Sequence, residues 1–521
     1  MVTVLHDKKA VVLNLSDPQK VTTIIPTAKL VKHKNSILVA VPHRPDETKV
    51  LRMLGFEVPD PMKEYYDFPP AAGVHKPFAA QIETSSFASM QNRCFILNSM
   101  GTGKTLASLW AYDYMRALNQ VNKVLIVCPL STMERTWADE IFRTFPWLTA
   151  TVVYGTRERR HKLLAQDSHI YIVNTDGVRV IQDELENRPD IDLVIVDEVA
   201  MFRNASTDRW KSMNLVLNKQ TPRRVWALTG MPTPNAPTDA WAQCRLVDPH
   251  NEEVPKYFSK ARDELMRQVS QYKWAPREDC NETILKWMQP SIRFSLDDCV
   301  DLPEQIFVQR DAEMTSDQKK AYKEMMNKLS AEYQGGQILA VNEAVKSNKL
   351  IQIACGVAYA PGGEEIVIPA KHRLETLVEI VEESEGKVIV FVPLTAVLEQ
   401  VAETLRKHWE VEVVHGNTPK NKRDEIFQNF QSALNPHVIV ANPGTMSHGL
   451  TLTAATTVVW YAPIYSNDIY EQACARVRRP GQKRTTVIAH VAGSEIERRI
   501  YERLAAKQKL QGLLLEMMEG R

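Results

Sequence analysis

No apolar run in this 521-residue chain is long enough to span a bilayer, so a helical membrane protein is excluded. Residues Met1 to Lys9 carry no apolar core of the secretory type. Cysteine is sparse and never paired. The seven residues Cys94, Cys128, Cys244, Cys280, Cys299, Cys355 and Cys474 stand singly and in odd number. Without a Cys-x-x-Cys spacing, neither a zinc site nor a disulfide framework is expected, and a reducing, cytoplasmic setting is. Excess charge of either sign is also missing: 64 Lys and Arg face 63 Asp and Glu, for a net charge of +1. No global field therefore draws the chain to nucleic acid or to membrane, and any nucleic-acid site has to be local basic surface. The length exceeds what one core can serve, and about two to four domains are expected.

What is present begins with Cys94 to Thr105, Cys-Phe-Ile-Leu-Asn-Ser-Met-Gly-Thr-Gly-Lys-Thr. An apolar strand, a glycine turn and a helix opening at Lys104 form the pattern of a phosphate loop. The glycines let backbone N–H groups face phosphate oxygens, and the helix N-terminus adds partial positive charge. Lys104 would reach the β- and γ-phosphates, and the Thr105 hydroxyl would ligate Mg²⁺. The strict pattern calls for glycine at the position held by Asn98.

Residues 1–68 read as a small β-rich module, with β-type runs at Val21–Ile25 and Ser36–Val41 and a short helix at Asp46–Gly55. Its charges read as a solvated face. Prolines at 59, 61, 69, 70 and 77 mark a linker. Residues 69–250 alternate strand and helix, with strands expected at Cys94–Leu97, Lys123–Cys128, Thr151–Tyr154, Ile170–Asn174, Leu193–Val196 and Arg224–Leu228. Short apolar runs separated by helices imply a parallel sheet covered on both faces, with ligands beyond its carboxyl ends. Residues 251–368 read as helical insertions and a linker, with helical stretches at Ser259–Tyr272 and Ser316–Leu329 and an exit at Pro361-Gly362-Gly363. In 369–521 the alternation returns, with strands at Lys387–Val392, Glu410–Val414, His437–Ala441 and Thr457–Tyr461, and a helix at Lys422–Phe430. The fold class is α/β, with two parallel-sheet units.

The polar residues at strand ends carry the chemistry. Val194-Ile195-Val196 runs into Asp197-Glu198, where Asp197 would hold Mg²⁺ and Glu198 would orient and deprotonate a water. Ser131 and Thr132 follow another strand, and phosphate contact and simple N-capping are equally good readings of either hydroxyl. Arg157, Arg159, Arg160, His161 and Lys162 form a basic cluster that reads as a phosphate track or as a solvated helix face. Arg476 and Arg479, three apart, would share a helix face. They suit either a γ-phosphate or a helix end interacting with its own dipole or with DNA.

Together these stretches resemble the Swi/Snf family of superfamily-two helicase-like ATPases, over about residues 75 to 510 in the family's order. Met100-Gly101-Thr102-Gly103-Lys104-Thr105 matches the family's first motif, and Gln81 its adenine-reading glutamine. Pro129-Leu130-Ser131-Thr132, with Trp137 and Glu140, looks like motif Ia. Asp197-Glu198-Val199-Ala200 looks like the Asp-Glu-Ala-His box, with Asn204 downstream. Leu228-Thr229-Gly230-Met231-Pro232, with Asn235, matches motif III. His415-Gly416 with Arg423 matches a later block, and Gly444 to Thr453 looks like motif V, including Thr445 and Gly449. Gln472, Arg476, Arg479, Gly481 and Gln482 match motif VI, whose arginines act as fingers in the family.

The resemblance implies two RecA-like lobes closing on ATP and Mg²⁺. Nucleic-acid contacts would fall at Ser131, Thr132, Asn204, His415, Gly416, Thr445 and Gly449. It implies a monomeric ATP hydrolase that couples turnover to translocation on, or remodelling of, duplex or forked DNA, with RNA the lesser candidate. A strand-separating or annealing helicase and a non-hydrolysing nucleic-acid clamp are the alternatives. Three positions depart from the family pattern: Ala200 replaces a histidine, Asn98 an alanine or glycine, and Pro480 follows Arg479 where isoleucine or valine is usual.

Overall fold

The computed structural model describes residues 2–33, 36–69, 77–219, 223–234, 236–270, 273–299, 301–334, 343–359, 365–446 and 451–504. They fall into two compact units, one within Met1–Val300 and one within Asp301–Gly512.

The first unit opens with an antiparallel sheet. Its described strands run in the order Val2–Leu5, Ala10–Asn14, Ser36–Pro42, Lys29–His33. Val11, Leu13, Val39 and Val41 point to one face and are buried with Val21 and Leu51. The β-type run expected at Val21–Ile25 is instead the end of the helix Pro18–Ile24. Pro18 presets the first helical turn, and the Thr22 and Thr23 hydroxyls fold back onto the Gln19 carbonyl at 2.9 and 3.0 Å. That local bonding and the burial of Val21 outweigh the β preference of branched side chains.

A parallel sheet follows. Its described strands are ordered Ser291–Ile292, Arg93–Ile96, Arg224–Leu228, Ile191–Asp197, Lys123–Cys128, Ile170–Asn174, Ala150–Val152. Its central strands are buried along nearly their whole length. One face packs on a cluster with Trp110, Trp137 and Phe145, the other on one with Phe202, Met213 and Leu246. A sheet covered on both faces can present polar groups only at its strand ends.

The second unit holds another parallel sheet, ordered Gln305–Asp311, Thr486–Ala492, Ala455–Trp460, Lys387–Phe391, Val438–Ala441, Val411–Val414 among the described residues. The stretch 251–368 carries the helices Phe258–Leu265, Cys280–Trp287, Ser316–Gln334 and Glu343–Ala354, and strands as well. Ser291–Ile292 and Gln305–Asp311 are edge strands of two different sheets. The helix expected over 259–272 covers only Phe258–Leu265, after which Met266–Ser270 and Lys273–Pro276 pair as a hairpin. The turn expected at Pro361-Gly362-Gly363, like Tyr272, lies outside the described residues.

Arg373, on the helix Lys371–Glu382, ties the second unit together. Its buried guanidinium bonds Glu497 at 2.6 Å and the carbonyls of Val491, Ala354 and Tyr461. Glu497 in turn accepts from the Gly493 N–H and the Ser494 hydroxyl, each at 2.9 Å. Both charges are fully buried. Removing one partner strands the other in a dry interior. Glu497→Ala should therefore lose about 3–5 kcal/mol of stability, measured as a lower urea midpoint. Replacing both residues by methionine should cost less than the single change.

Candidate functional site

The glycine turn after Arg93–Ile96 has the backbone that its sequence demands. Gly101 has φ 83° and Gly103 φ 77°, both left-handed and open to glycine with little strain. Gly103 directly precedes the helix Lys104–Ala117, so the first N–H groups of that helix are without helical partners and face the turn. A methyl group on Gly103 would lie 2.0 Å from Gln81 Nε2. Gln81 is buried against the turn, with its Oε1 accepting from the Phe78 N–H at 3.0 Å and its Nε2 donating to the Gly103 carbonyl at 3.4 Å. The Lys104 ammonium donates to the carbonyls of Asn98 (2.8 Å) and Ser99 (3.1 Å), and Thr102 Oγ1 to Ser99 O (2.8 Å).

Asn98 explains itself in this setting. It is buried, its Nδ2 donates to Thr84 Oγ1 at 2.7 Å, and its Oδ1 accepts the Phe294 N–H at 3.0 Å. It thus links the root of the turn to the helix Ala79–Ser89 and to the segment beyond the edge strand Ser291–Ile292. Glycine or alanine could make neither bond. The sequence signal was a polar side chain ending an apolar strand, but its partners lie far away in the chain.

Asp197 ends the strand Ile191–Asp197, one strand removed from Arg93–Ile96 and in register with Leu228 of the strand between. Trp137, fully buried, donates its indole N–H to Asp197 Oδ2 at 3.0 Å. Part of Asp197 stays solvent-accessible, yet the surrounding protein desolvates the carboxyl and raises its pKa, opposed by the Trp137 bond and the nearby Lys104 charge. The motif Ia resemblance included Trp137 but gave no reason for it; the structure supplies one. Glu198 has φ 54° and ψ 55°, a left-handed conformation that costs a non-glycine residue about 1–3 kcal/mol. This turn redirects the chain at the sheet edge, and Thr229 Oγ1 meets Glu198 Oε2 at 3.4 Å. Ala200 is buried in the short 3₁₀ turn Val199–Phe202 that follows.

Ser131 is exposed, whereas Thr132 is buried and donates its hydroxyl to Pro129 O at 2.9 Å. Thr132 thus makes no side-chain cap: its hydroxyl donates to a carbonyl of its own turn instead of accepting a helix N–H. Asn204 is exposed and closes a local turn, accepting from Ser206 N–H and Oγ at 3.0 and 2.8 Å. Neither reading of the basic cluster holds for Arg160. It is buried and bonds the carbonyls of Gly155 and Val153 and the Asn174 side chain, a structural role.

In the second unit, the helix Asn467–Cys474 ends before Arg476. Arg476 and Arg479 thus sit in the following turns and do not share a helix face. A residue before proline disfavours helical dihedrals, and Arg479 precedes Pro480. The Arg476 carbonyl accepts the Leu452 N–H at 2.9 Å. Arg479 donates to Ala475 O at 3.1 Å and to Thr451 Oγ1 at 3.0 Å. Desolvation lowers its pKa to about 10, so it stays charged at neutral pH. Gln472 and the Arg476 side chain are buried. Half-buried His415 and exposed Gly416 form a turn after Val411–Val414, closed by a 3.1 Å bond from the His415 N–H to Thr418 Oγ1. Thr445 donates to Asn442 O at 2.7 Å. Gly449 and Asn235 lie outside the described residues.

Residues 84–354 match the SNF2-related domain, and residues 372–481 the helicase conserved C-terminal domain. The chain belongs to the SNF2-related family. Among similar proteins, putative protein p41 of Acyrthosiphon pisum secondary endosymbiont phage 1 is 25% identical, over 81% of this chain and 94% of its own length. The Mus musculus chromodomain-helicase-DNA-binding protein 1-like is 24% identical over 82% of this chain. The Saccharomyces cerevisiae ISWI chromatin-remodeling complex ATPase ISW1 is 23% identical over 81%. This SNF2-related chain spans only 48% and 38% of those two. The Sulfolobus solfataricus SWI2/SNF2 ATPase core in complex with dsDNA is 20% identical, with TM-score 0.41, covering 87% of this chain and 96% of that one.

The Asn98 brace is open to test. Asn98→Ala removes two bonds and leaves the Thr84 hydroxyl and Phe294 N–H without their partner. A loss of about 1–3 kcal/mol is expected, read from urea denaturation. Asn98→Gly, although closer to the strict motif, should not recover it.

Proposed function

We propose that this chain is a DNA-dependent ATPase that couples hydrolysis to translocation on, or remodelling of, duplex DNA. One observation carries the reading: within the SNF2-related domain, two parallel strands that flank Arg224–Leu228 in one sheet end in a left-handed glycine turn with Lys104 and in the Asp197-Glu198 pair.

The site suits a nucleotide and a hard cation. Left-handed Gly101 and Gly103 shape the turn, and the missing Cβ at position 103 is what lets Gln81 pack directly against it. Thr105 and Asp197 offer the oxygen donors that Mg²⁺ prefers. When bound, Mg²⁺-ATP supplies the phosphoryl group to be transferred and partial neutralisation of its charge. The N–H groups of Gly101 to Thr105, continuing from Met100, hold the phosphates, and Lys104 adds its charge there. Gln81, held beside Gly103, orients the base. Glu198 positions and deprotonates the attacking water. In the second unit, Arg476 and Arg479 serve as arginine fingers, with Gln472 as a nucleotide contact. Ser131, Asn204, His415, Gly416 and Thr445, with Gly449, contact the DNA backbone, which positions the duplex without reading its sequence. The Thr132 hydroxyl is turned onto the Pro129 carbonyl, so the exposed Ser131 carries this contact in the proposal.

ATP turnover should rise with duplex DNA more than with duplex RNA, at stated salt. Lys104→Ala and Glu198→Gln should each reduce it about 100-fold or more. Triplex displacement without fork unwinding would mark a translocase. A wild-type chain that binds DNA without stimulated turnover would leave the clamp reading in place.

A further inference from the structure

A cavity of about 470 Å³ opens in the second unit, and Arg476, Arg479 and Gln472 are not in its lining, although Gly481 and Gln482 are. It is lined by residues just before or at the starts of parallel strands: Lys387, His437, Thr456 and the Lys483-Arg484 pair. It therefore lies at the amino-terminal edge of the sheet, opposite the carboxyl ends of the strands. We infer that this cavity is a binding site for a phosphate group carried by a ligand of up to nucleotide size.

The argument rests on charge and shape together. Three cationic side chains and one histidine line the cavity, and no carboxylate side chain lines it. The Lys387 ammonium donates to the carbonyls of Phe430 and Ala433, both at 2.7 Å, and Arg484 to Glu385 O at 2.9 Å. Those partners satisfy donors but carry no net charge, and among the described residues no ion pair neutralises the positive charge. Burial lowers the Lys387 pKa with no acidic neighbour opposing it, and His437 is lowered by burial and by Lys387. Only the second cause at His437, the Lys387 charge, reports a positive field there; the shift at Lys387 itself is desolvation. Such a field in a concave wall draws an anion more strongly than the same charges on a flat, solvated face.

The wall is also preorganised. Gln482 Nε2 donates to the carbonyls of Thr453, Ala455 and Val477 at 3.2, 2.9 and 3.1 Å, and its Oε1 accepts the N–H groups of Lys483 and Arg484 at 3.0 and 3.2 Å. The backbone presenting both cations is thereby held fixed, and Lys387 is anchored from the opposite side. The volume exceeds that of a lone phosphate and falls in the usual range for small-ligand pockets. Ala454 and Leu434 supply the apolar part of the lining.

The test is lysine-resolved acetylation of the full chain, quantified by mass spectrometry, with inorganic pyrophosphate or a short DNA duplex at matched ionic strength. Pyrophosphate should suppress labelling of Lys483 and Lys387, leaving exposed Lys8 unchanged. Lys104 reports the phosphate loop separately in the same digest, so the outcome does not depend on ATP turnover. The double change Lys483→Glu, Arg484→Glu should abolish protection of Lys387. Protection by pyrophosphate supports the small phosphorylated ligand, and protection by the duplex without protection by pyrophosphate overturns it in favour of a nucleic-acid backbone. Unchanged labelling of Lys387 and Lys483 with both probes, or Lys387 protection that survives the double charge reversal, overturns the inference.

Discussion

Burial of both parallel sheets on both faces constrains everything else in this molecule. Strands such as Lys123–Cys128, Ile170–Asn174 and Val438–Ala441 are buried nearly throughout, and a polar side chain inside them would need a partner that the neighbouring layers do not offer. Chemistry is thereby confined to the strand ends, where Asp197, Glu198, Thr229 and the glycine turn meet. Because Arg93–Ile96, Arg224–Leu228 and Ile191–Asp197 are adjacent and parallel, their carboxyl ends are brought together although they are distant in the chain. Topology assembles the site before any specific contact does.

This is also why much of the first sheet could be read from residues alone. Apolar runs of strand length ended by Asp-Glu, by Thr-Gly or by a glycine turn leave few alternatives, and the strands at Lys123–Cys128, Ile170–Asn174 and Arg224–Leu228 have the expected bounds. The failures share a cause. Val21–Ile25, the segment after Leu265, and Arg476 with Arg479 all depart from what local propensity or spacing predicts. In each case a longer-range or side-chain bond decides the backbone: the threonine hydroxyls on Gln19, the pairing of Met266–Ser270 with Lys273–Pro276, and the Leu452 N–H on the Arg476 carbonyl. Spacing in sequence carries no record of such partners.

Asn98 shows the same limit from the opposite side. Against a motif it is a defect, because the position is usually small. In the structure it is a two-way brace between the phosphate turn, the helix bearing Gln81 and the segment at Phe294. The residue that breaks the pattern is the one fixing the turn's position. Trp137 does comparable work for Asp197, holding one carboxylate oxygen with a buried indole. Both supports are amide or indole donors, which impose direction without adding charge, so the charge within the site stays with Lys104, Asp197 and Glu198.

The second unit solves the same problem without a helix. An arginine on a helix would take its direction from the helical backbone. Arg476 and Arg479 lie beyond Cys474 and need another source of order. Gln482 provides it by binding carbonyls on both sides of the turn, including that of Val477 between the two arginines. Pro480 then acts in a segment already anchored at Val477 and Gln482. With the backbone held at these points, Arg479 retains its freedom mainly in the side chain, where its present bonds are to a carbonyl and a hydroxyl. Neither carries net charge, so an approaching phosphate oxygen can displace them at smaller cost than it could displace a carboxylate. A turn braced by a neutral amide can therefore keep its arginine both positioned and available, which a salt-bridged arginine on a helix could not.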